Sequence, residues 1–154
     1  MELNKENNIK DKVLAKFNFM DGKVLVKRAR RMSAEVELSN FRDVLSFLVK
    51  EMGFLRICMI TGSDENENFG FIYHMTDDKG MVFDLKTYAP KTSPVIKTIS
   101  DIIDGGILYE RELVDMFGIK VEGLPEGERY PLPDGWPEGQ YPLRKDWNRD
   151  MLKD

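Results

Sequence analysis

The chain has 154 residues, of which 42% are hydrophobic and 32% are charged, and this composition predicts one soluble domain with an ordinary core. The formal net charge of -4 gives no overall basic field for a phosphate backbone, so we expect no nucleic-acid partner. No apolar stretch approaches the roughly 20 residues of a membrane span, and the N-terminus carries no secretory pattern. We therefore expect a cytoplasmic protein.

A short amphipathic helix is predicted near the N-terminus. Ile9, Val13 and Phe17 recur at steps of four residues, and the turn residues Asp21 and Gly22 follow them. The helix should end before this turn.

The strand that begins at Lys23 runs into the basic stretch 27–31, Lys-Arg-Ala-Arg-Arg. Alternation would place positive charges on both faces of this strand, which a central strand would not tolerate. The stretch is therefore either a solvated edge strand, whose charges discourage edge-to-edge pairing, or a docking patch for an acidic partner or anionic head groups.

The clearest helix starts at Ser39, a favourable N-cap, and stops at Gly53. The apolar residues at helical spacing are Phe41, Val44, Leu45, Leu48 and Met52. Strand-like runs follow at 55–61, 69–75 and 81–88. A short glycine-containing loop separates the last two, which predicts an antiparallel hairpin.

Cys58 and His74 are the only cysteine and the only histidine. A single cysteine excludes an internal disulfide and is typical of a reducing compartment. An iron–sulfur cluster or structural zinc usually needs four ligands drawn mainly from these two types, so we expect no cofactor in this chain.

Cys58 lies in a run typical of a buried strand, which predicts a core thiol. His74 alternates onto the opposite face from Phe69, Phe71, Tyr73 and Met75, so it is expected to be a solvated or hydrogen-bonded strand residue.

Two helices are predicted between residues 94 and 118. Pro94 suits the first turn of a helix that runs to residue 103, and Gly105 and Gly106 break it. The second helix begins at Tyr109. Its apolar arc contains Tyr109, Leu113, Val114, Met116 and Phe117, and Glu110 falls inside that arc, whereas Arg111, Glu112 and Asp115 lie on the other side.

From residue 119 onward the chain contains five of its seven prolines, so it cannot build a long helix or a sheet of its own. It also carries too much apolar and aromatic surface for a free linker, including Trp136 and Trp147. Fully extended, this segment would reach roughly 110 Å, enough to cross its own domain and continue onto a neighbour.

These elements predict an α+β fold, a two-layer sandwich of a small mixed or antiparallel sheet packed with two to three helices, followed by an extended Pro/Gly-rich C-terminal arm. We expect the core domain to span residues 1–118. The arm would span residues 119–154 and pack on the core and on a partner subunit.

Two motifs carry a resemblance to a known family. The first is Glu-Arg-Glu at 110–112 followed by Asp-Met-Phe-Gly-Ile at 115–119 and Glu-Gly at 122–123, and the second is Tyr-Pro-Leu-Arg-Lys-Asp-Trp at 141–147. In this order and at this distance they resemble the 30 kDa subunit family of respiratory complex I. That family includes the equivalent subunit of energy-converting membrane-bound [NiFe] hydrogenases.

The resemblance implies a non-catalytic subunit of a membrane-associated, ion-translocating oxidoreductase, on the cytoplasmic, peripheral side of the cell membrane. Its partners would be the large hydrogenase-like (49 kDa-type) subunit and the small iron–sulfur subunit, which would hold the iron–sulfur clusters and, in a hydrogenase, the [NiFe] centre. The residues implied as partner interface or structural motif, none of them catalytic, are Tyr109, Glu110, Arg111, Glu112, Asp115, Phe117, Gly118, Pro142, Leu143, Arg144, Lys145 and Asp146.

The chain departs from the family pattern after Gly123. Members usually carry a histidine there and then Pro-Asp-Leu-Arg-Arg, whereas residues 124–129 read Leu-Pro-Glu-Gly-Glu-Arg. This weakens the assignment to the conventional NADH-quinone enzyme and brings in a hydrogenase-like branch, and the choice between the two branches stays open. The electron donor, the electron acceptor and the coupling ion stay open.

A carboxylate on the core side of a helix needs a partner. Because an arginine fork can engage a carboxylate with two hydrogen bonds while staying charged, we expect Glu110 to pair with Arg144 of the tail or, as second choice, with Arg129. Arg111 and Asp115 are expected to form an exposed pair one turn apart.

Two other functions remain as alternatives. One is an independent small enzyme that uses His74 with Asp84, or Cys58 as nucleophile, although no glycine-rich phosphate loop or nucleophile elbow is present. The other is a free adaptor whose Pro-rich arm is the ligand of another module, although the arm has no repeated PxxP pattern.

Overall fold

The computed structural model describes residues 3–152. Within this range the helices are α1 (Asn4–Lys16), α2 (Leu38–Lys50) and α3 (Ile107–Phe117). The strands are β1 (Val24–Arg28), β2 (Arg31–Glu35), β3 (Arg56–Asp64), β4 (Asn68–Thr76), β5 (Val82–Pro90), β6 (Val95–Lys97) and β7 (Lys120–Glu122). Short 3₁₀ helices follow α1 at Asn18–Met20 and end the described chain at Arg149–Leu152.

The first five strands form one mixed sheet in the order β1-β2-β5-β4-β3. The pair β2–β5 is parallel and the other pairs are antiparallel. The hairpin of β4 and β5 confirms the prediction, with a register that runs from Asn68 opposite Pro90 to Thr76 opposite Val82.

The core lies on the sheet face that carries the aromatic residues of β4. Phe69, Phe71, Tyr73 and Met75 alternate onto this face and are at most 1% exposed. Phe41 of α2 packs on Tyr73 with ring centroids 4.5 Å apart, and Phe117 of α3 packs on Phe69 at 5.7 Å. Both helices therefore cover the same face, and the predicted α+β architecture of a mixed sheet with two to three helices is confirmed.

The basic stretch 27–31 is the tip of a hairpin rather than one continuous strand. It comprises the end of β1, a two-residue turn and the first residue of β2. β1 is an edge strand, as one of the two interpretations requires, whereas β2 is an interior strand.

The helix predicted for residues 94–103 is wrong. Residues 95–97 form β6, which pairs in parallel with β7, and Lys120 N–H donates to the Pro94 carbonyl at 2.8 Å. The β-branched residues Val95 and Ile96 suit a strand, so a partner distant in sequence overrides the local helical pattern.

Two local predictions also need correction. α2 begins at Leu38, and its N-cap is Glu37 without a side-chain cap bond, so Ser39 lies inside the first turn. Cys58 is exposed rather than buried, because β3 is an edge strand whose register shifts between Ile57 and Met59. A bulge of this kind turns the strand locally away from strict alternation.

Residues 119–152 contain only β7 and the terminal 3₁₀ helix as regular elements. The division into a domain at 1–118 and an arm from 119 stays a prediction. None of the helices within residues 3–152 combines the length and the apolar character that a membrane span needs.

Candidate partner-docking site

The two sequence motifs meet at the C-terminal end of α3. Gly118 ends the helix in the left-handed conformation, with φ of 67°, and its N–H donates to the Val114 carbonyl at 2.9 Å. A Cβ at this position would lie 2.5 Å from the ring of Tyr141 and 2.8 Å from Nη2 of Arg144. Glycine is therefore required twice, by the backbone conformation and by the segment packed on it.

The segment 141–147, which we call the strap, supplies donors to the end of α3. Leu143 N–H donates to the Met116 carbonyl at 3.1 Å, and Nε of Arg144 donates to the Phe117 carbonyl at 2.6 Å. These two carbonyls belong to the last turn of α3, where carbonyl groups have no N–H partner within the helix. The strap thus caps α3 from outside.

The Arg144 guanidinium is held between two aromatic rings. Its central carbon lies 4.6 Å from the ring centroid of Tyr141 and 5.2 Å from that of the buried Phe69. Cation–π contacts of this kind favour arginine over lysine because the planar guanidinium can stack.

Asp64, at the end of β3, anchors the strap to the sheet. Its Oδ2 accepts from Lys91 Nζ at 2.7 Å and from the Lys145 N–H at 3.0 Å, and its Oδ1 accepts from the Asn66 N–H at 3.1 Å. Burial opposes ionisation, but these donors outweigh it and hold the pKa of Asp64 below its usual value. Sequence reasoning missed Asp64, because its bond to Lys145 spans 81 positions and no local pattern marks it.

Asp115 of α3 lies buried under the segment that leads to the strap. Its carboxylate accepts from Nε of Arg129 at 3.2 and 3.3 Å and from the Leu132 N–H at 3.1 Å. Arg129 also donates to the Trp136 carbonyl at 3.0 Å. Asp115 is 5% exposed, so the predicted solvent-facing pair of Arg111 and Asp115 is wrong: the chain after α3 folds back over this side of the helix.

Arg111 instead holds a turn of the same segment. Its Nη2 donates to the carbonyls of Pro125 and Glu126 at 3.2 and 3.0 Å. A Cβ at Gly127 would clash with the Arg111 guanidinium. The departure from the family pattern at 124–129 therefore forms a bend that fits the arginine of the first motif.

Glu110 is fully buried, as its position on the helical wheel indicates, but its predicted arginine partners are wrong. Its two carboxylate oxygens accept from Oγ1 of Thr98 at 2.6 Å and from the Ile99 N–H at 2.8 Å. Arg129 and Arg144 bind elsewhere on α3, to Asp115 and to the Phe117 carbonyl. Burial raises the pKa of Glu110, and the hydrogen bonds from Thr98 and Ile99 only partly offset that effect.

The remaining motif residues divide by exposure. The Tyr109 hydroxyl donates a hydrogen bond to the Cys58 carbonyl at 2.7 Å and so connects α3 to the edge strand β3 at its bulge. Glu112 and Pro142 are half-buried, whereas Leu143, Lys145 and Asp146 are exposed. Leu143 is 48% exposed. The structure therefore brings the two motifs together into one surface and leaves Glu110 beneath it.

His74 lies on the open face of the sheet. Its Nδ1 is 2.7 Å from Oδ1 of Asp84, and its Nε2 is 2.9 Å from Oγ1 of Thr61. Both ring nitrogens therefore have protein partners, which confirms a hydrogen-bonded strand residue. Cavities of about 510 and 470 Å³ lie elsewhere, against α2 and α1.

The side chains that could ligate a metal ion form no larger group than a pair such as His74 and Asp84 within the described part of the chain. In residues 3–152, no three or more histidine, cysteine, aspartate or glutamate side chains are grouped in a way that could hold a metal ion.

Comparison with known proteins places these motifs in a family. Residues 34–151 match the family of the respiratory-chain NADH dehydrogenase 30 kDa subunit. Among the relatives of this chain, the beta subunit of the membrane-bound hydrogenase of Pyrococcus furiosus is 29% identical over 139 residues, which cover 85% of this chain and 80% of the relative. A subunit of the F(420)H(2) dehydrogenase of Methanosarcina mazei is 30% identical over 120 residues, 76% of this chain and 75% of that one.

Solved structures agree with this placement. A chain in the membrane-bound sulfane sulfur reductase, an archaeal respiratory membrane complex, superposes with a TM-score of 0.83 at 28% identity, over 97% of this chain and 89% of that chain. The trypsin-resistant fragment of Nqo5 superposes with a TM-score of 0.64 at 23% identity, over 80% of this chain and 99% of the fragment, and shows the shared fold. The resemblance seen in the two motifs is thereby confirmed, and this chain belongs to the respiratory-chain NADH dehydrogenase 30 kDa subunit family.

Proposed function

We propose that this chain is a non-catalytic subunit of a membrane-associated, ion-translocating oxidoreductase, either complex I-like or an energy-converting hydrogenase. In that complex the surface built from α3 and the strap docks the large, 49 kDa-type hydrogenase-like subunit, with the small iron–sulfur subunit nearby. The iron–sulfur clusters and any [NiFe] centre belong to those partners. The subunit sits on the cytoplasmic, peripheral side of the membrane.

The observation that carries the proposal is the joint surface of the two motifs. Strap and helix are held together by bonds to the Met116 and Phe117 carbonyls and by the anchor on Asp64. Within the strap, Leu143 stays 48% exposed although its N–H is bonded to the end of α3. Large apolar side chains that are fixed in position yet left in water are typical of protein–protein contacts.

Family membership supports the same function. The relatives named above are subunits of a membrane-bound hydrogenase and of an F(420)H(2) dehydrogenase. The related solved structure is part of an archaeal respiratory membrane complex.

Affinity purification from the native host tests the proposal. A tagged wild-type chain should co-purify with a hydrogenase-like large subunit and iron–sulfur subunits, identified by mass spectrometry. Leu143→Glu places a charge on the proposed docking surface at a side chain that is 48% exposed and outside the buried core, and we expect it to reduce the recovered large subunit by about tenfold.

Phe19→Glu is the matched control, because Phe19 is 43% exposed and lies before β1. It should leave co-purification unchanged. Equal loss in both variants would contradict the assigned surface, and a wild-type chain that purifies alone would contradict the function itself.

A further inference from the structure

The tip of the β1–β2 hairpin concentrates positive charge on a chain whose net charge is -4. Lys27, Arg28 and Arg30 are exposed there or partly so. Among residues 3–152, none of these three side chains takes part in an ion pair, whereas Arg31 pairs with Asp84 at 3.4 Å. We call the three unpaired residues the basic tip.

Nearby carboxylates are already engaged with other groups. Asp77 binds Nζ of Lys5 at 2.8 Å, and Asp84 binds both Arg31 and His74. The next loop, between β4 and β5, contributes Asp78 and Lys79, whose charges balance. The carboxylate of Glu6, which accepts from the Arg30 N–H, offsets one positive charge, and the basic tip therefore keeps a net positive charge.

The backbone of the tip is fixed from two sides. The Arg30 N–H donates to Oε1 of Glu6, a carboxylate of α1 that is 5% exposed, at 2.7 Å. The Arg30 carbonyl accepts from the Val82 N–H at 2.9 Å. Residues of both neighbouring elements thus hold the turn in place.

Arg30 itself occupies a backbone conformation that favours glycine. Its φ is 59°, in the left-handed region that residues with side chains adopt rarely. Asparagine and glycine usually fill such turn positions. A residue that is unfavourable for the turn but useful as a cation indicates a role for the charge.

We propose that the basic tip, Lys27, Arg28 and Arg30, is a docking site for an acidic segment of a partner protein chain. Two arginines on a fixed turn suit carboxylates, because each guanidinium can bind a carboxylate through two hydrogen bonds. The partner segment presents Asp or Glu side chains spaced to meet them.

An anionic membrane surface is the weaker fit. Electrostatic attachment to lipid head groups draws on clusters of about four to eight basic residues, whereas the basic tip has three. The site lies before residues 34–151 that match the family model and goes beyond the docking surface of α3 and the strap.

Photo-cross-linking in the assembled native complex tests the proposal. Ala29, between the basic residues, is replaced by p-benzoylphenylalanine, and the purified complex is irradiated and digested. We expect a cross-link to one segment rich in Asp and Glu on another subunit. Adding Lys27→Gln, Arg28→Gln and Arg30→Gly should reduce its yield by about tenfold; glycine at position 30 suits the turn, so folding is preserved.

The control variant carries Lys12→Gln, Lys16→Gln and Lys50→Gln, which remove three exposed charges from α1 and α2 and should leave the cross-link unchanged. A complex that assembles but gives no cross-link, or an unchanged one in the neutralised tip, would overturn the proposal while leaving the strap surface intact. A chain that purifies without partners would overturn both. Flotation with phosphatidylcholine–phosphatidylglycerol vesicles tests the lipid alternative. If the isolated chain floats with them and the variant with the neutralised tip does not, the site is assigned to lipid instead.

Discussion

The two sides of α3 bury carboxylates in different ways. Glu110 faces the core and receives a hydroxyl and a backbone N–H from residues 98–99, whereas Asp115, five positions later, receives the Arg129 guanidinium and the Leu132 N–H. Burial raises the pKa of Glu110. The core side thus satisfies its carboxylate with neutral donors that precede the helix, and the outer side with a cation from the segment that follows it.

Deleting the core-side carboxylate should have the largest effect. Glu110→Ala leaves a cavity and strips the buried Ile99 N–H of its acceptor, so we expect a loss of about 2–4 kcal/mol in the free energy of unfolding. Chemical denaturation measures it. Amide protection in the strap should stay at the wild-type level below the transition, because the strap bonds to the carbonyls of Met116 and Phe117 at the end of α3 rather than to Glu110.

Glu110→Gln separates charge from shape. Since the folded-state pKa of Glu110 is raised, its favourable contribution is present below the unfolded value of about 4.3 and is lost as pH rises through the folded pKa. Wild type should therefore lose stability relative to Glu110→Gln as the pH rises above about 4. A pH-independent difference would contradict the shift.

Gly118→Ala tests the junction of helix and strap. The left-handed conformation costs a side-chain residue about 1–2 kcal/mol, and the contact with Tyr141 adds strain, so we expect about 2–3 kcal/mol in total and faster hydrogen exchange in the strap. Gly53→Ala is the matched control, with φ of 80° and no atom within 4 Å of the added Cβ. It should cost only the backbone part; equal effects would argue against the packed strap.

Arg129→Ala probes the outer-side ion pair. Asp115 would keep the Leu132 N–H but lose its cation, and because the Arg129 side chain is 28% exposed we expect a modest loss of about 1–2 kcal/mol. Hydrogen exchange should quicken at residues 129–136. Arg149→Ala, at an exposed arginine of the same segment, should change neither quantity.

Protonation of Asp64 at acidic pH should release the strap, and we expect this to be the smallest change in the free energy of unfolding among these predictions. The folded-state pKa of Asp64 lies below its usual value, so its contribution is full above the unfolded pKa of about 3.9 and is lost as pH falls through the lower folded value. Both tryptophans, Trp136 and Trp147, lie in the C-terminal segment, so intrinsic fluorescence reports its release. We expect the signal to change below about pH 4.

Asp64→Asn should abolish that transition and cost about 1 kcal/mol at neutral pH. Asp77→Asn provides the comparison, because the pKa of Asp77 is also lowered while its bonds reach Lys5 and its own turn. It should weaken acid stability without moving the fluorescence transition. If Asp64→Asn retained that transition, the anchor would be assigned wrongly.

Periodicity predicted the parts of the fold that depend on local sequence. The spacing in α2 and the alternation in β4 reflect which face of each element is buried. The glycine-containing loop before β5 marks the turn of the hairpin. The helix expected at 94–103 failed because the partner of β6 follows α3, more than 20 residues along the chain.

That failure also explains the wrong partner of Glu110. In a helix the Ile99 N–H would bond within its own turn, and the carboxylate would need another donor. Because residues 98–99 instead follow β6 as irregular chain, the Ile99 N–H is available to Glu110. The helical wheel predicted the direction of the side chain correctly, but the donor depended on the conformation of a neighbouring segment.

The pairing of β6 with β7 determines how mechanical load would travel through this subunit. The two strands run parallel and flank α3 in the chain, and β7 immediately precedes the long C-terminal segment. Tension applied beyond Glu122 meets the short β6–β7 ladder, whose bonds resist together when the strands are sheared. Only tension applied between Glu122 and the strap takes this route, because the strap itself is bonded to Asp64 of β3 and passes load to the five-stranded sheet directly.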